Sequence, residues 1–422
     1  MVRERIASLL QKWTNSRCFL PVFLFGIAVL AFGLFIPRLG YYMDDWHHVY
    51  YSYVLGDDGL ADMLLYGSNR PYATWFYVLI FNLVGHKPLG WHVVALLLRW
   101  GTVVVAWQLF RSLWEDVERQ NLYAAMLFLV YPFFMMQPMA VAYALHWMGF
   151  FLFVLSLWFM VLAEKKTGWM SVFLIALALV AEWYHLVTSE YFSGAELVRP
   201  LILWFLLAKE DENWHKKLWR IFRRWLPYLL VLGGYVYWRF VLLSLPEGDR
   251  NTPVILLQFL SDPMQVFLRQ ASIVIQDAAT ILFDGWHDAL SATLFDLSSF
   301  FNRYLLLVVL FSFGLLFIGF RLWNTSEEKV LPEKLHNWHK QAMVLGFSIL
   351  FLGPLPVWFI GQAITTHKNK MAASRFGFVS MLGAALVLAV VIDYFITNRK
   401  KANLLLSALV ALWIVVHLRM AN

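Results

Sequence analysis

Residues 19–48 read FLPVFLFGIAVLAFGLFIPRLGYYMDDWHH, an apolar run that ends in a pair of carboxylates. Its first part, Phe19–Ile36, carries no charge, and a helix needs about 20 mostly apolar residues to cross the roughly 30 Å hydrocarbon core of a bilayer. Arg3, Arg5, Lys12 and Arg17 precede the run, and Pro37-Arg38-Leu39 after it is no small-residue cleavage site. The stretch therefore reads as an uncleaved anchor with its N-terminus in the cytoplasm. The rest of the chain has the same character. Its 422 residues are 61% hydrophobic, 18% aromatic and 14% charged, where a soluble domain averages about 25% charged. That composition excludes a soluble enzyme, a secreted disulfide scaffold and a disordered chain. The single cysteine, Cys18, supports neither an intramolecular disulfide nor a cysteine-based zinc site.

Outward from the anchor, apolar runs near 92–110, 122–136, 140–162, 169–187, 191–207, 226–243, 304–320, 342–365, 376–396 and 403–417 bring the expected spans to eleven. Segment 72–84 is shorter, is followed by Gly85-His86-Lys87-Pro88, and suits an interfacial helix. With that segment outside, the segments placed in the cytoplasm hold 21 of the 34 Lys plus Arg and the opposite side 10, which supports the orientation. The densest cluster, Lys216 to Arg224, is a basic amphipathic stretch of the kind that lies on an anionic leaflet. Residues 1–422 read as one transmembrane domain with two long exoplasmic loops, 37–91 and 244–303. No 20–50-residue repeat and no nucleotide-binding glycine loop interrupts them.

Chemistry is expected where those loops meet the membrane. Adjacent carboxylates near hydrocarbon are costly to desolvate, so Asp44-Asp45 reads as a general base, a metal contact or the partner of a cation. The bland alternative is that one of them caps the helix beginning at Trp46. Asp57-Asp58, between glycines, reads as a solvated turn. Arg70, in Asn69-Arg70-Pro71, offers a guanidinium fork suited to a phosphate, or snorkels to lipid headgroups. Lys368, Lys370 and Arg375 place three cations at an exoplasmic helix mouth, against the usual charge bias; they read as a phosphate site or as partners of Asp44 or Asp45. Glu196 and Arg199 share a helical face and read as an ion pair, while His48 and Glu190 are candidate cavity residues. His146 and His287 lack any tight metal-ligand spacing. A divalent metal held by Asp44, Asp45 and a histidine stays open.

As a set, these residues resemble the GT-C superfamily of membrane glycosyltransferases, and within it the protein O-mannosyltransferase-like group, including the transmembrane O-mannosyltransferases that carry tetratricopeptide repeats. The matching pieces are Met43-Asp44-Asp45-Trp46, Asn69-Arg70-Pro71 with Val84 to His92, Tyr131-Pro132 with Gln137 to Ala142, and Ser374-Arg375-Phe376. They cover about two fifths of the chain. The third piece lacks the family's histidines, and no tetratricopeptide repeat follows. The resemblance implies a GT-C-like all-α polytopic bundle of about eleven transmembrane helices with exoplasmic interfacial helices. It also implies an inverting transfer from a polyprenyl-phosphate sugar donor, with Asp44 as base and Asp45 as its orienter or a metal contact. Arg375, Lys368, Lys370 and Arg70 would steady the phosphate. The acceptor, whether glycan, lipid or protein hydroxyl, stays open. A flippase for lipid-linked sugars, using Glu196, Arg199, Arg99 and Arg239, and a noncatalytic glycolipid-binding subunit are the competing expectations. The expected setting is a prokaryotic plasma membrane.

Overall fold

A backbone inside hydrocarbon must satisfy its own polar groups, so apolar runs of this length become helices. The computed structural model describes residues 18–67, 70–207, 213–243, 252–289, 298–323 and 331–421, and every regular element among them is helical. The chain opens with α1 (Phe19–Arg38), followed by two short helices, α2 (Asp45–Asp62) and α3 (Thr74–Val84). Then come α4 (Pro88–Leu113), α5 (Glu118–Leu129), α6 (Ala140–Glu164), α7 (Trp169–Thr188), α8 (Arg199–Leu207) and α9 (Trp214–Leu242). The last third holds α10 (Val254–Ser261), α11 (Pro263–Ala289), α12 (Phe300–Leu322), α13 (Pro332–Leu352), α14 (Leu355–Phe359), α15 (Ser380–Phe395) and α16 (Arg399–Met420). Among the described residues nine helices are long and apolar enough to cross a membrane, or ten if Lys370–Gly377 and α15, bent by 74°, form one span. The protein is a multi-pass helical membrane protein, and among the described residues its regular spans are fewer than the eleven expected.

The differences have physical causes. Where a span is expected over 122–136, α5 stops at Leu129 and residues 130–139 run irregularly through the bundle. Irregular backbone is tolerated there because protein covers it and supplies partners. His417 bonds the Val130 carbonyl (3.0 Å), and the Ser374 hydroxyl accepts the Met135 N–H (3.0 Å). The expected span 191–207 breaks into two short turns and the nine-residue α8. Gly194 lies at the break, where an added Cβ would come 2.1 Å from the Leu352 carbonyl oxygen. The expected loop 244–303 contains α11, which is long and apolar enough to count as a span over Pro263–Asp284.

Ring contacts set the directions. Phe35 meets Phe301 and Phe23 meets Phe320, so α12 runs antiparallel to α1. Phe32 meets His417, so α16 finishes where α1 does. The Tyr41 hydroxyl donates to the His86 carbonyl (2.7 Å), just before α4. That end of the bundle holds the candidate site. At the other end the buried Asp393 accepts from Arg119 (3.1 Å), Gln120 (3.0 Å) and His339 (3.0 Å), tying α5, α13 and α15 together. The exposed Lys216, Arg223 and Arg224 lie at the start of α9, and Arg239 lies near its finish, roughly 30 Å away at about 1.5 Å per residue. Close packing relies on small residues. Gly383 of α15 sits so near α13 that an added Cβ would lie 2.3 Å from the Gly346 carbonyl oxygen.

Candidate functional site

The site begins with a strained turn. Met43 has φ +43°, the only positive φ outside glycine among the described residues, a conformation that costs an L residue about 1–2 kcal/mol. Asp45 N–H closes the turn onto the Tyr42 carbonyl (2.9 Å), and α2 starts there. The two adjacent carboxylates consequently diverge. Asp45 is fully buried and accepts the backbone N–H of Ala142 at 2.8 Å, in the first turn of α6, and that of Tyr42 at 3.4 Å. It caps a helix, as the bland reading allowed, but the helix is α6 rather than its own. Burial pushes its carboxyl up to about 7, against the lowering effect of those N–H groups. Asp44 is exposed and lines a cavity, and among the described residues no donor reaches its carboxylate.

That cavity, of about 970 Å³, gathers residues from distant parts of the chain. Asp44, His47, His48 and Tyr51 come from the α2 region, Arg70 and Tyr77 from the α3 hairpin, and Tyr143 and His146 from α6. Glu190 and Tyr191 follow α7, Tyr235 and Arg239 end α9, and the far wall runs from Leu355 to Gln362, with His367 and Arg375 beyond. The far wall is pinned from outside by the buried Asp277 of α11. Its carboxylate accepts from Trp358 Nε1 (2.8 Å), Ile364 N (3.0 Å), Thr365 N (2.9 Å) and the Thr365 hydroxyl (2.8 Å).

Charge is unevenly committed within the cavity. Arg70 donates from Nε (3.1 Å) and Nη2 (2.6 Å) to the two oxygens of Glu190, a bidentate pair. Burial alone would raise the Glu190 carboxyl, but the Arg70 and Arg239 guanidiniums hold it well below the usual carboxylate range. Glu190 therefore faces the cavity as expected, but it is paired. Arg375 faces Tyr143 and Tyr191. Its guanidinium lies 5.2 Å from the Phe376 ring centroid, and its buried Nε has no hydrogen-bond partner among the described residues. His48 donates from Nδ1 to the Asp44 carbonyl (3.0 Å) and packs on Tyr77. Its position in the wall pushes its pKa down to about 4.

Several expectations need correction. Lys368 and Lys370 are exposed and absent from the cavity wall, because the Asn369 side chain caps the turn Lys370–Ala373 through Ala372 N–H (3.1 Å) and turns both lysines outward. Both Asp45 oxygens accept backbone N–H groups, so its hold on Asp44 runs through the turn they share rather than through a bond between the two side chains. Among the described residues no three His, Cys, Asp or Glu side chains are grouped to hold an ion. Asn69 and the side chain of His287 lie outside the described residues. Glu196 and Arg199 form the ion pair anticipated from their spacing, joined by His185 (2.9 Å) and Ser156 (2.9 Å) in a buried cluster away from the cavity. Arg99 is likewise internal, bonded to Gln137 and lying over the Phe32 ring.

Sequence reasoning gave no site role to Tyr143, Tyr191 or Tyr235, and it assigned Arg239 only to a transport path. The available signal for Arg239 was its charge within an apolar span, which marks function or a buried partner. No protein-family model matches this chain, and no curated protein is detectably similar to it.

Proposed function

We propose that this protein is a GT-C-type membrane glycosyltransferase. It moves a sugar from a polyprenyl-phosphate donor to an acceptor hydroxyl on the exoplasmic side, with inversion. One observation carries the reading: a carboxylate that no donor reaches among the described residues, Asp44, and an arginine whose Nε is unsatisfied among them, Arg375, share one cavity at the end of a helical bundle. The cations exposed at the opposite end of α9 support a cytoplasmic position for that end. A lipid-borne donor accounts for a polar cavity built into membrane-spanning helices.

In this mechanism Asp44 takes the proton of the acceptor hydroxyl as its oxygen attacks the anomeric carbon from the face opposite the phosphate. The bond between that carbon and the phosphate oxygen breaks, and the electron pair leaves with the polyprenyl phosphate. Arg375 meets the charge that develops there. His48, beside Asp44 in the same wall, is neutral above its depressed pKa. The test is release of polyprenyl phosphate from a panel of polyprenyl-phosphate sugars by purified protein. Turnover by the native chain and a drop of about a hundredfold or more in Asp44→Asn are expected, the usual scale of lost general-base assistance. Equal turnover by the two proteins refutes the assignment.

A further inference from the structure

Tyr143 lines the cavity near both groups that the proposed chemistry uses. It stands in the first turn of α6, one residue beyond the Ala142 N–H that Asp45 caps, so the link that fixes the Asp44 turn fixes Tyr143 as well. The residue is 5% exposed, and its ring packs against Phe134 (5.0 Å between centroids) and His146 (5.2 Å). Its hydroxyl meets the Arg375 guanidinium and also lies in the field of Asp44. A guanidinium has hydrogens to give and no lone pair to offer. Arg375 therefore meets a lone pair of the Tyr143 oxygen, and the hydroxyl proton is directed elsewhere. Beside it, the Arg375 Nε has no hydrogen-bond partner among the described residues. Two donors, one of them on a cation, are thus held in place by packed rings on one stretch of wall, the arrangement that suits a phosphate oxygen pair.

We infer that the Tyr143 hydroxyl is a second donor to the phosphate held by Arg375, and so a catalytic residue for departure of the polyprenyl phosphate. The inference rests on the lipid-phosphate donor proposed above. As the bond between the anomeric carbon and the phosphate oxygen breaks, negative charge grows on the phosphate. A hydrogen bond already aimed there strengthens with that charge and needs no reorganisation. A phosphate monoester gives up its second proton near about pH 6, well below a phenol at about 10. Tyr143 therefore stabilises the departing charge and keeps its proton.

The test is the ratio of two affinities, since a uniform loss of folded protein does not move a ratio. Detergent-solubilised protein is titrated with farnesyl phosphate, which carries the departing group, and with farnesol, which lacks the phosphate. The native chain should bind farnesyl phosphate more tightly than farnesol. Tyr143→Phe keeps the ring contacts and removes the hydroxyl, and it should lower the ratio by about tenfold or more, the effect of one hydrogen bond to a charged group. A second background separates direct contact from support of Arg375. Arg375→Lys keeps a cation but loses the guanidinium that Tyr143 meets, and adding Tyr143→Phe to it should lower the ratio again by a comparable factor. An unchanged ratio in Tyr143→Phe, or a loss that vanishes in the Arg375→Lys background, overturns the inference and leaves the donor reading standing. A native chain with no preference for farnesyl phosphate over farnesol overturns the donor reading itself.

Discussion

The Asp45 carboxylate accepts the Ala142 backbone N–H at 2.8 Å, so the residue beside the cavity-lining Asp44 is committed to capping α6. The link also fixes the turn that carries Asp44, because the same carboxylate reaches back to Tyr42 N–H. One adjacent acid is thereby made structural and the other left to the cavity.

This division has a pH signature. The Asp45 carboxyl is raised from 3.8 to about 7 in the folded chain, chiefly by burial. Folded protein therefore retains a proton that unfolded chain releases between about pH 4 and 7. The stability contributed by that proton is fully present below pH 4 and is lost as pH rises through 7, a swing of up to about 4 kcal/mol for three units. Asp45→Asn has no such titration. Thermal unfolding in detergent should show the native midpoint losing ground to that of Asp45→Asn between pH 5 and 8. A native midpoint that gains ground over that range contradicts the assignment.

Asp277 is expected to hold the far wall of the cavity in place. Its carboxylate accepts four hydrogen bonds from residues 358–365, and bonds to a charged group contribute about 1.5–3 kcal/mol each. Asp277→Ala leaves those donors without their acceptor and should destabilise the protein by at least about 3 kcal/mol. Proteolysis or hydrogen exchange should locate the loosening at 358–365 first. Protection there equal to that of the native chain would show that the wall is held by other contacts.

Close approach of α13 and α15 is expected to be intolerant of a methyl group. A Cβ at Gly383 would meet the Gly346 carbonyl oxygen at 2.3 Å and the Leu350 nitrogen at 2.7 Å, both backbone atoms that cannot swing aside. Gly383→Ala should cost about 1–3 kcal/mol, the range for overpacking. Gly314, in α12, has nothing within 4 Å of its ideal Cβ. Gly314→Ala should therefore be neutral or stabilising by up to about 1 kcal/mol. Equal thermal midpoints for the two variants would deny the close contact.

Much of this was legible in the sequence, and what was not has identifiable causes. The run Phe19–Ile36 and the short apolar segment ending at Gly85 announce α1 and α3 by length and composition alone. The same test cannot separate a helix from a buried irregular segment, since both are apolar, and it therefore missed the breaks after Leu129 and around Gly194. The acid pair drew notice through its place at the end of α1, but which acid is free depends on Ala142, far along the chain. Arg70 and Glu190 were each legible as charged groups near the site. Their pairing joins residues 120 positions apart, which no local pattern encodes. Lys368 and Lys370 misled because adjacency in sequence says nothing of which way a four-residue turn faces.

Arg375 and those two lysines supply the last comparison. All three lie within eight residues of one another, yet only Arg375 lines the cavity, where its Nε has no partner. If the phosphate of a donor binds there, Arg375→Ala removes a charge-assisted contact and should weaken donor affinity by about 10- to 100-fold, the equivalent of roughly 1.5–3 kcal/mol. Lys368→Ala and Lys370→Ala, exposed and outside the wall, should change it by less than about twofold, in keeping with the small effect of exposed charges. Raising the salt concentration separates the two classes further. Exposed charges are screened over about 8 Å at physiological ionic strength, whereas Arg375 is partly buried, with its Nε shielded from solvent, so the Arg375→Ala defect should persist at high salt. Donor affinity that falls equally with each of the three substitutions would place the phosphate at the surface instead of in the cavity, and with it the chemistry assigned to Asp44.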